Sequence, residues 1–150
     1  MPNVRALNKE KYKIGEFRFR ELFYFCLQYD EWKDKLQELQ EVLKGVQYSE
    51  MPSSGNPGDP TCNIAIKCAE YSRKCDLIEQ AAKIADPELH EYILFYVTQK
   101  NATFQYMKTR KNIPCERDRF YDRRRKFYFI LDQLLKQEDK WWKKIFLLAN

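Results

Sequence analysis

Nine cations fall between Lys108 and Lys126: Lys108, Arg110, Lys111, Arg117, Arg119, Arg123, Arg124, Arg125 and Lys126. Only Glu116, Asp118 and Asp122 oppose them. The segment therefore carries +6 in a chain of net charge +5, and everything outside it sums to about −1. A positive field this local is a docking feature for a polyanion. Arginine dominates the run, and the choice has chemical content. A guanidinium can place two parallel hydrogen bonds on guanine O6 and N7, or clamp a phosphate, with a fixed geometry that an ammonium lacks. These nine cations, with Tyr121 among them, are the expected contacts to double-stranded DNA. Asp118 and Asp122 weaken phosphate attraction and are suited to orienting neighbouring arginines or accepting from cytosine. The plainer alternative is a solvated helix face in which Asp118, Asp122 and Arg125 pair across one turn.

Such residues need a frame. Thr103 opens a short helix with Phe104 and Met107 on its apolar face, Lys111-Asn112-Ile113-Pro114 reads as a turn, and a long helix begins at about Cys115. That order is a helix-turn-helix, at about residues 103–135, in which the second helix enters the major groove and the first braces it. Ile113 is the expected plug of the turn. Phe120, Phe127, Leu131 and Leu134 form the inward stripe. At about 100° per residue, Arg119, Arg125 and Lys126 then stand well away from the core. Arg123 and Arg124 flank it, with their stems over Phe127. Glu116, Arg117 and Tyr121 complete the part of the helix expected to approach base edges.

Upstream, Leu22, Phe25, Tyr29, Trp32, Leu36, Leu39 and Leu43 repeat at steps of three and four, which predicts one helix over about 17–44 with Gly45 as its stop. Residues 51–60, MPSSGNPGDP, form a Gly/Pro linker between an N-terminal helical segment, 1–50, and a helical domain, 61–150. Asp59 or Thr61 can cap the next helix, whose stripe is Ile64, Cys68, Tyr71, Cys75, Ile78, Ala82 and Ala85. Two matching seams joined by a loop predict an antiparallel hairpin. Asp86-Pro87 starts a third helix with Leu89, Tyr92, Ile93, Tyr96 and Val97 inward and His90 outside that face; Asn101 closes it. No segment sustains a period of two, so the fold class is all-α: a helical hairpin followed by a helix-turn-helix with a long basic last helix.

Several classes of function find little support. The 150 residues suffice for a core, and 15% aromatic content argues against disorder. No stretch has the roughly 20 apolar residues of a bilayer span, and the opening residues lack a signal-peptide core, so a soluble protein of the bacterial cytoplasm with no membrane partner is expected. Five cysteines at spacings of 36, 6, 7 and 40, with one histidine, do not make a metal site. They read as reduced thiols, with Cys68 and Cys75 on a buried stripe. No phosphate loop, nucleophile elbow or carboxylate pair in a recognisable setting is present, so neither enzyme activity nor a cofactor is expected. Cys115, a thiol at a helix start beside arginines, is the one position where a lowered pKa is conceivable.

Asp59-Pro60-Thr61, Ala81-Ala82, Val97-Thr98, and Ile113-Pro114 leading into Phe120-Tyr121-Asp122-Arg123-Arg124-Arg125-Lys126-Phe127 resemble the phage-encoded transcriptional regulators of the RinA and ArpU type, found in prophages of Gram-positive bacteria. The resemblance covers about 80 residues. It implies a DNA-binding regulator of phage genes, with late-gene activation as the family's role and a C-terminal helix like region 4 of a sigma factor. Host RNA polymerase or another host protein becomes a candidate partner on the same ground. The opening segment and the tail, DKWWKKIFLLAN, lie outside the match. Trp141, Trp142, Ile145, Phe146 and Leu148 must either pack on the N-terminal helix or make a homodimer contact. Two rival functions fit the same features: a small-terminase-like DNA packaging protein, and an anti-CRISPR-like inhibitor of a host defence nuclease.

Overall fold

A computed structural model describes residues 10–46 and 59–148. Among them there are six helices and no strand: α1 (Glu16–Leu27), α2 (Tyr29–Val46), α3 (Pro60–Ala85), α4 (His90–Thr98), α5 (Phe104–Arg110) and α6 (Arg117–Leu148). The fold is all-α, as the periodicity predicts. No helix among the described residues is long and apolar enough to cross a membrane. Linker residues 51–58 lie outside the described residues.

The chain divides into two compact units. One comprises residues 28–76, and the other joins the chain up to Leu27 with everything from Leu77 onwards. This division explains why the single helix expected over 17–44 is two, separated at Gln28. The seam is continuous, but α1 and α2 serve different cores. In the 28–76 unit Lys74 lies 5.1 Å from the centroid of the Trp32 ring, and Lys35 lies 5.9 Å from that of Tyr71. Contacts that advance on α2 while retreating on α3 are those of an antiparallel hairpin. Asp59 caps α3, its Oδ1 accepting from the Thr61 N–H at 3.0 Å. Gly45 falls within the last turn of α2 rather than ending it.

The other unit holds the main core, where α1, α4 and α6 pack on one another. Phe19, Leu22 and Cys26 of α1 are buried, as are Ile93 and Val97 of α4 and Phe120, Phe127, Tyr128 and Leu131 of α6. The end of α3 adds Ile78, Ala81, Ala82 and Ala85. Tyr12, ahead of α1, is buried with its ring 5.6 Å from that of Phe129. The third helix begins three residues later than Pro87, because Asp86 first closes a turn: its Oδ1 accepts from the N–H groups of Glu88 at 3.0 Å and Leu89 at 3.2 Å. His90 Nδ1 sits 2.8 Å from the Pro87 carbonyl oxygen within that turn.

Candidate nucleic-acid interface

The frame around the basic run is built as its residues dictate. Thr103 caps α5, its Oγ1 accepting from the Tyr106 N–H at 3.2 Å. Phe104 and Met107 turn inward and are buried. The connection then reverses at Asn112, whose φ of 53° is the left-handed conformation that asparagine tolerates better than most residues. That reversal lets the Ile113 N–H donate to the Met107 carbonyl at 3.2 Å and seats the Ile113 side chain in the core at 2% exposure. Helix α6 starts at Arg117, two residues after the expected Cys115, with the Phe120 N–H donating to Glu116 O at 3.1 Å.

The cations divide by what their heads touch. Lys108 Nζ donates to Glu116 Oε1 at 3.0 Å and to the Cys115 carbonyl at 3.3 Å, bridging α5 to the start of α6. Arg117 lies over the Phe104 ring at 5.7 Å and Lys111 over Phe95 at 4.5 Å; both remain exposed. Arg110 is exposed and Lys126 partly so, and neither has an ion pair among the described residues. These four heads, with the half-open Arg119, are the solvent-facing part of the set.

The central arginines are placed differently. Arg119 Nη2 donates to Asp86 Oδ2 at 3.2 Å and to Glu88 Oε2 at 2.8 Å. Arg123 Nε lies 3.4 Å from the same Asp86 oxygen, an ion pair that lacks hydrogen-bond geometry. Arg124 sits among four rings, with its guanidinium carbon 5.4 Å from the centroid of Tyr96, 5.6 Å from Tyr128, 5.8 Å from Phe19 and 5.9 Å from Tyr121. Arg125 pairs with Asp122 at 3.8 Å, one of the within-helix pairs of the plainer alternative, and its side chain is only 18% exposed. The helical projection placing Arg125 well away from the core is therefore corrected. It assumed that one stripe of α6 is covered, whereas α1 and α4 both pack on α6 and widen the covered arc. The buried Nε atoms of Arg123, Arg124 and Arg125 have no hydrogen-bond acceptor among the described residues. Ring faces and the Asp86 charge compensate them in part.

Tyr121, expected near base edges, is half-buried with its ring 6.4 Å from Tyr96 and 6.3 Å from Phe104. Burial first, and then the hydrogen bond with Tyr121, push the Tyr96 phenol up to about 12. The Cys115 thiol is also raised: burial outweighs the favourable field of Arg119 and Lys108, which removes the basis for an activated nucleophile.

Two acidic anchors were not legible as such in the sequence. In the sequence Asp86 stands only as part of a helix break with Pro87. Asp132, buried on α6, accepts from Arg18 Nε at 2.6 Å and pairs with Lys136 at 2.9 Å, fastening α1 to α6. The tail residues are the other surprise. Trp141, Trp142, Ile145, Phe146 and Leu148 continue α6 and are exposed. Among the described residues no cluster of His, Cys, Asp or Glu could hold a metal. No protein-family model, curated protein or solved structure matches the chain.

Proposed function

We propose that this protein is a sequence-specific, double-stranded-DNA-binding transcriptional regulator of phage genes, with α5, the connection through Ile113 and the first turns of α6 as its helix-turn-helix. The observation that carries the proposal is the pairing of a rigidly mounted helix start with outward cations. Ile113, Phe120 and Phe104 anchor the corner. Arg110, Lys111 and Arg117 stay exposed around it. A positioned helix terminus with cations on both sides suits phosphate contacts that set register and one or two base-edge contacts that specify sequence.

Within this proposal the arginine run has two jobs. Arg117, Arg119 and Lys126, with Lys108, Arg110 and Lys111 on the α5 side, meet DNA; Arg123, Arg124 and Arg125 chiefly hold α6 in place. Phage origin and a late-gene role rest on the resemblance of the FYDRRRKF segment and its flanks. The experiment is retention of prophage fragments by the purified protein at two salt concentrations with excess competitor DNA. A specific fragment kept at the higher salt supports a regulator. Weak binding erased by salt would reduce the arginines to a general polyanion surface.

A further inference from the structure

Asp86, Glu88, Arg119 and Arg123 meet at the corner between α3 and α4, against the first turns of α6. They are two carboxylates and two guanidiniums, with no net charge. The two acids are not equivalent. The Asp86 side chain is 9% exposed, and its second oxygen holds the N–H groups of Glu88 and Leu89. The Glu88 side chain is 60% exposed, and its only ion pair among the described residues is with Arg119, whose Nη2 donates to Oε2 at 2.8 Å. Asp86 already fastens α6 to the corner. The Glu88 bond adds little to that fastening, since an exposed ion pair is worth a factor of about five at most.

What Glu88 does is occupy a donor. Nη2 makes two bonds, to Asp86 and to Glu88, as many as it has hydrogens. Nε and Nη1 have no acceptor among the described residues. A guanidinium grips a phosphate or a guanine with two parallel bonds, from Nε with Nη2 or from Nη1 with Nη2. Both grips need Nη2. A carboxylate and a phosphate take such a hydrogen at the same distance, about 2.7–2.9 Å, so the Glu88 oxygen stands where a phosphate oxygen would. We propose that Glu88 is a built-in competitor for phosphate at Arg119, and that Arg119 takes a two-point grip only when a phosphate of the bound polyanion displaces the Glu88 carboxylate. The competition rests on the reading of α6 as a DNA helix and makes Glu88 a specificity-determining residue of that contact. A duplex that presents no phosphate to Arg119 in register meets a neutral corner; one that does meets a freed guanidinium. Lys108 and the 85% exposed Glu116 repeat the pattern at 3.0 Å. An acid just ahead of a helix also stabilises its N-terminus, so Glu88 carries the argument.

The test is fluorescence anisotropy of the full chain with labelled random-sequence duplex DNA and with labelled inorganic polyphosphate, at several salt concentrations. Glu88→Ala should bind more tightly, by about three- to fivefold at the lowest salt, with a steeper salt dependence for DNA and the thermal midpoint in place. The gain should vanish when Arg119→Gln is added, a background in which Arg123 still faces Asp86. Unchanged affinity for both polyanions would overturn the proposal. So would a gain that survives the loss of Arg119, which would make it an effect of net charge alone. A gain with polyphosphate, while no variant binds duplex DNA, would uphold the competition and sink the DNA reading instead.

Discussion

Arg119 and Asp86, 33 positions apart in sequence, meet through a hydrogen bond of 3.2 Å from Nη2 to Oδ2. The bond fastens the first turn of α6 to the corner between α3 and α4. The same carboxylate accepts two backbone N–H groups through its other oxygen and faces Arg123 as well. A residue that looks like a helix stop is thus the anchor of the segment proposed to read DNA.

Asp86→Ala should therefore destabilise the protein by about 2–4 kcal/mol, the scale of losing a cap together with a charged hydrogen bond. Asp86→Asn, which can still accept from the turn, should cost less. Urea unfolding followed by circular dichroism checks both. An unchanged midpoint for the alanine variant would mean that the corner is held by packing alone.

The acid limb of stability should report Asp86 and Asp132 together. Burial works against the charge of each. For Asp86 the Leu89 N–H, the Arg119 guanidinium and the Glu88 N–H outweigh it, and for Asp132 the Lys136 and Arg18 contacts do, so both carboxyls sit below their ordinary range. A group with a lowered folded pKa stabilises fully above its unfolded value, about 3.9 for aspartate, and loses that contribution as pH falls through the folded value. Unfolding free energy should contain no loss from these groups between neutrality and about pH 5 and should fall below about pH 4. Asp132→Asn should make that fall shallower; an identical acid limb in variant and wild type would contradict the assignment.

Arg124→Ala should act on the fold rather than on DNA contact. A guanidinium among four rings contributes about 2 kcal/mol when desolvated, and its stem packs as well. The thermal midpoint should drop by several degrees, while the salt dependence of DNA affinity, measured below that midpoint, keeps its slope. A reduced slope would place Arg124 on a phosphate.

Arg117→Ala and Lys126→Ala should do the reverse. Each lost phosphate contact lowers the slope of log affinity against log salt by about 0.9. Stability should stay within about 0.5 kcal/mol, as expected for exposed side chains. Fluorescence anisotropy at several salt concentrations gives the slope directly. If neither variant moves it, these two residues leave the interface.

The sequence made the skeleton legible where a single face was at stake. Thr103, Phe104, Met107, Ile113 and Phe120 stand where period and turn chemistry put them, because each answers to local backbone rules or to one partner helix. The break at Gln28 was invisible because the seam runs on unbroken while the packing partner changes. The Arg124 site escaped for a related reason: it takes rings from α1, α4 and α6, and a projection of α6 alone cannot contain the other two. The anchoring roles of Asp86 and Asp132 are not legible in the sequence, because long-range ion pairs leave no periodic trace. The exposed end of α6 was legible as apolar residues, but not in where they would go.

Mapping of backbone amide shifts during titration with duplex DNA tests the central claim most directly. The account predicts shifts concentrated between Lys108 and Arg119 and at Lys126, with the 28–76 unit unchanged. Shifts centred on α2 and the first part of α3, or none at saturating DNA, would contradict it.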